Sequence, residues 1–194
     1  MQQLAVLKQT FIRPMARLRS RTNNHILFYD TIDDLLATDQ VRSMSSVTQH
    51  VKDVTCLDHS IFVAYVTFRL CRFFHLRAIL ATRGALLHDM FLYDQHDSAN
   101  YVGSHLVNHG FQACKNAARL YQTLDTSLSD LERDIIIKHM WPVFPHMPKY
   151  TESYIVNLAD KVCTIAELSH LYHAFSMKKK LSFFTDHPRI DSAS

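Results

Sequence analysis

Only three glycines punctuate the 194 residues of this chain. A sandwich or barrel of many short strands needs a tight turn every few residues, and tight turns draw on glycine for backbone conformations that other residues resist. So few turn-formers predict an all-α fold, helices joined by polar loops. With 47% hydrophobic and 20% charged residues the chain can fill the core of one globular domain. No apolar run reaches the roughly 18 residues that a membrane span requires. Cys56, Cys71, Cys114 and Cys163 are scattered through apolar helical patterns with no C-x-x-C pair. They read as small buried hydrophobes of a reducing, cytoplasmic protein.

Charge divides the chain unevenly. Residues 1 to 29 hold Lys8, Arg13, Arg17, Arg19 and Arg21 and no acidic residue, leaving sixteen basic against eighteen acidic residues in the remainder. That body is not the basic footprint of a protein that binds a nucleic-acid duplex. Pro14 breaks any long helix in the leader, so residues 1–28 are expected to be a solvated, partly helical segment. A helical domain is expected over 29–177, and a tail without periodicity over 178–194.

Within the domain the apolar spacing predicts helices in succession. Asp30 is expected to cap the first, with Ile32, Leu35, Leu36 and Val41 as its stripe. Thr55 to Asp58 reads as a capping-box variant that opens a long helix carrying Ile61, Val63, Ala64, Val66, Phe68, Leu70 and Phe74, with His59 pointing inward from its first turn. After a break at His75 to Arg77 the next helix ends in His88 and Asp89. Another is expected from about His109 to Leu124. Ser129 to Glu132 is a second capping box, opening a helix that runs to His139 before Pro142 stops it. Thr151 is expected to cap the last helix, roughly to Phe175, with Tyr154, Ile155, Leu158, Val162, Ile165 and Leu168 inside and Asp160 in its middle.

Six polar side chains are stranded on these apolar helices: His59, His88, Asp89, His109, His139 and Asp160. A carboxylate on a buried helix face is costly unless it is paired or coordinates a metal. Facing helices of a bundle that contribute one or two such residues each are how metal sites in bundle cores are built. Nitrogen and oxygen donors suit iron, manganese, zinc, cobalt or nickel. Taken singly, His59 and His88 also fit core histidines bonded to carbonyls, and Asp89 fits an ion pair with Arg83 or a histidine.

The order H…HD…H…H…D, with the strings RGALLHDMFLYD, KHMWP and SYIVNLADK, resembles the HD-domain superfamily of metal-dependent phosphohydrolases, in particular a bacterial subgroup of small single-domain HD proteins. The resemblance covers roughly residues 47 to 170. It implies an HD-domain helical bundle whose core holds one or two divalent ions, iron or manganese foremost. His59, His88, Asp89 and Asp160 would hold one ion, and Asp89 would bridge to a second held by His109 and His139. The family pattern often has His-Pro where this chain has His109-Gly110, and His105, four residues earlier, competes with His109 for that role.

The activity implied is hydrolysis of a phosphomonoester or phosphodiester, nucleotides among them, by a water activated at the metals and bridged by Asp89. Lys161, Arg83 or Lys138 could aim a cation at a phosphate oxygen, although each also fits an ordinary solvated or ion-paired side chain. His50, His96 and His105 are further candidates near the mouth, and Trp141 could wall the pocket or pack the core. The same ligand order resembles HD-type di-iron oxygenases that act on small diols or phosphonates, and the six ligands alone do not separate the two chemistries. A nucleotide sensor without turnover is a third reading. The expected partners are a small phosphorylated substrate and, at most, a second copy of the chain.

Overall fold

The computed structural model describes residues 24–49, 51, 53–93 and 105–169, the last stretch with side chains from Asn108 onward. Residues 1–23 of the basic leader, His50, the loop holding His96, the side chain of His105 and the tail lie outside the described residues, whereas 24–28 form the start of the first helix. Within them the protein is all-α, and its one extended feature is an isolated bridge between Thr48 and Thr55. Helix α1 covers 24–36, α2 Asp39–Ser43, α3 Cys56–Phe73, α4 Ala78–Leu86, α5 His105–Thr123, α6 Asp130–Lys138 and α7 Thr151–Leu168. Among the described residues no helix is long and apolar enough to cross a membrane.

Both capping boxes form. Thr55 Oγ1 accepts from the Asp58 amide and Asp58 Oδ2 accepts from the Thr55 amide, each at 3.1 Å, so two otherwise orphaned donors at the start of α3 are satisfied. Ser129 and Glu132 repeat the exchange at the start of α6, at 3.3 and 3.0 Å. Glu132 is buried, and its second oxygen accepts the Tyr121 hydroxyl of α5, which ties the start of α6 to its neighbour.

From these starts α3 packs on α4 and α7, α4 on α6, and α6 on both α5 and α7. Ile61, Ala64 and Phe68 of α3 meet Ala81 and Ala85 of α4, Leu120 of α5, Ile135 and Ile136 of α6, and Val156, Ala159 and Cys163 of α7 in one continuous core. At Gly110 the approach of α5 to α6 is so close that a Cβ would lie 3.0 Å from the Ile136 carbonyl oxygen and 3.1 Å from that of Ile137. A side chain there would push the helices apart just where His109 faces the end of α6. The same contact explains why proline does not follow His109.

Four expectations are corrected. Asp30 is an exposed residue inside α1, which ends at 36; Thr38 Oγ1 caps the separate helix α2 by accepting from Val41 N at 3.4 Å. Helix α4 stops at Leu86, so His88 and Asp89 stand in the turn after it rather than on it. Helix α5 begins at His105, one turn before His109. Tyr150, with no side-chain cap, precedes α7.

The fourth correction extends to the orientation of α7. Leu158, Val162, Ile165 and Leu168 are each half or more exposed, whereas Val156, Asn157, Ala159, Asp160, Cys163 and Glu167 face inward. Hydrophobicity picks out the wrong face of α7 because its inward face carries the polar residues of the site described next.

Candidate metal centre

The six stranded polar residues come from five places in the bundle, and all six are buried. His59 stands in the first turn of α3, Asp160 in the middle of α7, His109 in the second turn of α5, and His139 caps the end of α6. His88 and Asp89 descend from the turn after α4. Their donor atoms form two groups, His59–His88–Asp89 and Asp89–His109–His139, in each of which all donor atoms lie within 4.8 Å of one another. Asp89 belongs to both. Its Oδ2 is 3.4 Å from His88 Nε2, and its Oδ1 is 3.5 Å from Nε2 of both His109 and His139. Asp160 Oδ1 completes the first group, 3.1 Å from His59 Nε2 and 3.7 Å from His88 Nε2.

Hydrogen bonds away from the centre set which ring nitrogens face it. His88 Nδ1 donates to the Ala85 carbonyl at 2.7 Å and His139 Nδ1 to the Ile136 carbonyl at 2.8 Å. Each ring therefore turns Nε2 toward Asp89. His88 Nε2 is fully buried and has no hydrogen-bond partner. Burial would lower the His88 pKa, but Asp89 and Asp160 outweigh it and raise it, so positive charge is favoured between this nitrogen and the two carboxylates. That orphaned nitrogen among carboxylate oxygens is the arrangement a cation relieves, so the donor set fits a divalent metal. His109 and His139 bring their Nε2 atoms within 2.8 Å of each other.

The electrostatics differ across the centre. Burial alone would lower the His59 pKa, but hydrogen bonds to Asp160 and Glu167 outweigh it and raise it from 6.5 to about 10. For His139 burial is reinforced by the neighbouring His109 and His88 rings, and the pKa falls to about 3. Burial opposes ionisation of Asp89 and Asp160 as well, yet the surrounding imidazoles hold both carboxyls below the usual carboxylate range.

Three supporting residues are invisible to a search for stranded ligands. Glu167 is fully buried and accepts from His59 Nδ1 through both oxygens, at 3.0 and 3.1 Å. It lies seven residues after Asp160, on the same face of α7, and that spacing is the signal that could have found it. Gln49 Nε2 donates to Asp89 Oδ2 at 2.6 Å, and Asn157 Nδ2 donates to the carbonyls of His139 and Trp141. Nothing local to Gln49 marks it. Such partners orient ligands and fix their tautomers.

Of the three candidate cations only Lys161 reaches the edge of the centre: its Nζ donates to the Trp141 carbonyl at 3.2 Å and, like Asn157, braces the turn after His139. Arg83 does not pair with Asp89. Its guanidinium is taken up by Asp34 at 2.7 and 2.9 Å, the Tyr121 hydroxyl at 3.0 Å and the Thr31 carbonyl at 3.1 Å, so it is a structural clamp between α4, α1 and α5. Lys138 is likewise engaged, by Asp134 at 2.6 Å and the Met147 carbonyl at 3.0 Å. Trp141 is half-buried and packs edge-on against Tyr154. Set against known proteins, the chain matches no family model, no curated protein and no solved structure.

Proposed function

We propose that the protein is a metal-dependent phosphohydrolase of the HD type that cleaves a phosphomonoester or phosphodiester, with one or two divalent ions, iron or manganese foremost, held by His59, His88, Asp89, Asp160, His109 and His139. The observation that carries this reading is the pair of buried His/Asp groups that share Asp89. Bound divalent ions supply an activated water and neutralise charge on the phosphoryl group.

The chain's own residues do the rest. Asp89 presents one oxygen to each group, and Gln49 holds the first of them in place. His139, whose pKa burial and the neighbouring imidazoles lower, offers Nε2 without losing a proton first, and His88, held through Nδ1 by the Ala85 carbonyl, turns Nε2 the same way. Glu167 keeps Nδ1 of His59 protonated, so that Nε2 is the nitrogen directed at the centre. Lys161, which makes no ion pair among the described residues, is the cation best placed to meet a phosphate oxygen at the edge. The four cysteines are buried and free, which supports a reducing, cytoplasmic setting.

The test is to purify the protein after growth with manganese or iron, measure metal per chain, and assay phosphate release from a panel of phosphomonoesters, nucleotides and diesters under anaerobic conditions. Turnover that disappears on chelation and returns with metal is expected. Metal-replete protein that leaves the whole panel untouched would overturn the reading, and dioxygen uptake with a diol or phosphonate would replace it with the oxygenase chemistry.

A further inference from the structure

A second concavity lies away from the metal centre, where α1, the end of α3 and the start of α4 meet. It is a cleft of ≈ 530 Å³ whose walls include Leu27, Phe68, Leu76, Ile79 and Leu80. That volume is in the range of small-molecule sites, roughly 300–1,000 Å³. Ile79 is 62% exposed and Leu27 44%, so apolar side chains that a folded protein gains by covering are left open to water around one trough.

The trough has one uncompensated charge. Arg72 lines it, with its guanidinium over the Phe68 ring at 5.6 Å and no ion pair among the described residues. Arg77, also in the lining, differs in this respect. Glu152 accepts from its Nε and Nη2 at 2.9 and 3.0 Å, so its charge is already met. An aliphatic wall with a single free guanidinium fits a molecule with an aliphatic chain and one anionic head, and the planar fork of arginine matches a carboxylate through two parallel hydrogen bonds. None of the six ligands of the metal centre lines the cleft.

We propose that this cleft is a binding site for a free long-chain carboxylate, with the chain along Leu27, Leu76, Ile79 and Leu80 and the head on Arg72. The site stands independently of the phosphohydrolase reading.

The experiment is isothermal titration of the full-length protein with dodecanoate below its micellar concentration, beside dodecyltrimethylammonium and dodecyl phosphate. One saturable dodecanoate site is expected, weakened tenfold or more by Arg72→Gln and unchanged by Arg69→Gln, whose arginine stacks on Tyr65 and does not line the cleft. The cationic amphiphile should show no saturable site. Ile79→Glu provides a second variant at an exposed wall position and should abolish binding. Absence of a saturable dodecanoate site, equal binding of the cationic amphiphile, or wild-type affinity in Arg72→Gln would each overturn the proposal. A clear preference for dodecyl phosphate would overturn the choice of a carboxylate head.

Discussion

The two halves of the candidate metal centre use the same residue types in opposite electrostatic states. Around His59 two carboxylates, Asp160 and Glu167, lie within hydrogen-bond distance of a fully buried ring. Around His139 the close neighbours are the imidazoles of His109 and His88, and Asp89 is at 3.5 Å. Burial is equal, so the neighbours decide. His59 binds a proton tightly, and His139 refuses one. A proton on His59 thus stands where a metal would place its charge, whereas His139 Nε2 meets His109 Nε2 at 2.8 Å.

The largest effect should come from removing what the halves share. Asp89→Asn takes a charged oxygen from both groups, and metal-dependent turnover should fall by more than the 10–100-fold typical of losing a supporting partner. Circular dichroism would check that the helices survive. Next, Glu167→Gln acts on one half only. Affinity of the His59 half for Mn²⁺ should drop about 10–100-fold while the His109/His139 half changes little, a split that equilibrium dialysis would read. Equal weakening of both halves would break the comparison.

Proton uptake gives a finer test. Loading the His59 half near neutral pH should release about one proton, because its imidazolium must deprotonate to ligate, and loading the His139 half should release none from His139. Titrations in buffers of different ionisation enthalpy would count them. The metal-free protein carries the same contrast in its stability. The raised His59 pKa contributes stability that is fully present below the unfolded value near 6.5 and is lost as pH rises through about 10. The lowered His139 pKa acts in the other direction, costing stability as pH falls from about 6.5 toward 3, since the unfolded chain takes up a proton that the folded site rejects. Thermal melts of metal-free protein should therefore decline on the alkaline side, and Glu167→Gln should flatten that decline.

The smallest effect belongs to a pair outside the centre. Hydrogen bonds from Arg77 lower the Glu152 pKa from 4.5 to about 2, so this pair's stabilisation is present above pH 4.5 and is lost as pH falls toward 2. Glu152→Gln should lower the melting temperature slightly and leave metal affinity unchanged.

The starts of α3 and α6 and the stranded histidines and aspartates were legible in the sequence because each has a local signature. Thr55, Asp58, Ser129 and Glu132 carry the capping chemistry in four-residue windows, and the histidines and aspartates stand out against apolar surroundings. Orientation was harder. In α7 the residues that build the site, Asn157, Asp160 and Glu167, occupy the buried face, while Leu158, Val162, Ile165 and Leu168 are left outside. A rule that sends apolar residues inward therefore assigns that helix backwards. Asp160 alone was correctly placed, because a buried carboxylate needs a partner wherever it sits. The local geometry at His88 was obscured for another reason: leucines continue past Leu86, so periodicity gives no sign that α4 has ended. Long-range partners such as Gln49 depend on contacts forty residues apart and leave no local trace.

Anomalous diffraction from crystals of the Mn²⁺-loaded protein tests the shared centre most directly. A manganese peak within about 2.0–2.3 Å of His88 Nε2 and an Asp89 oxygen is predicted, the ordinary reach of such ligands. Full Mn²⁺ loading with every peak elsewhere, and His88 Nε2 still without a partner, would contradict the account.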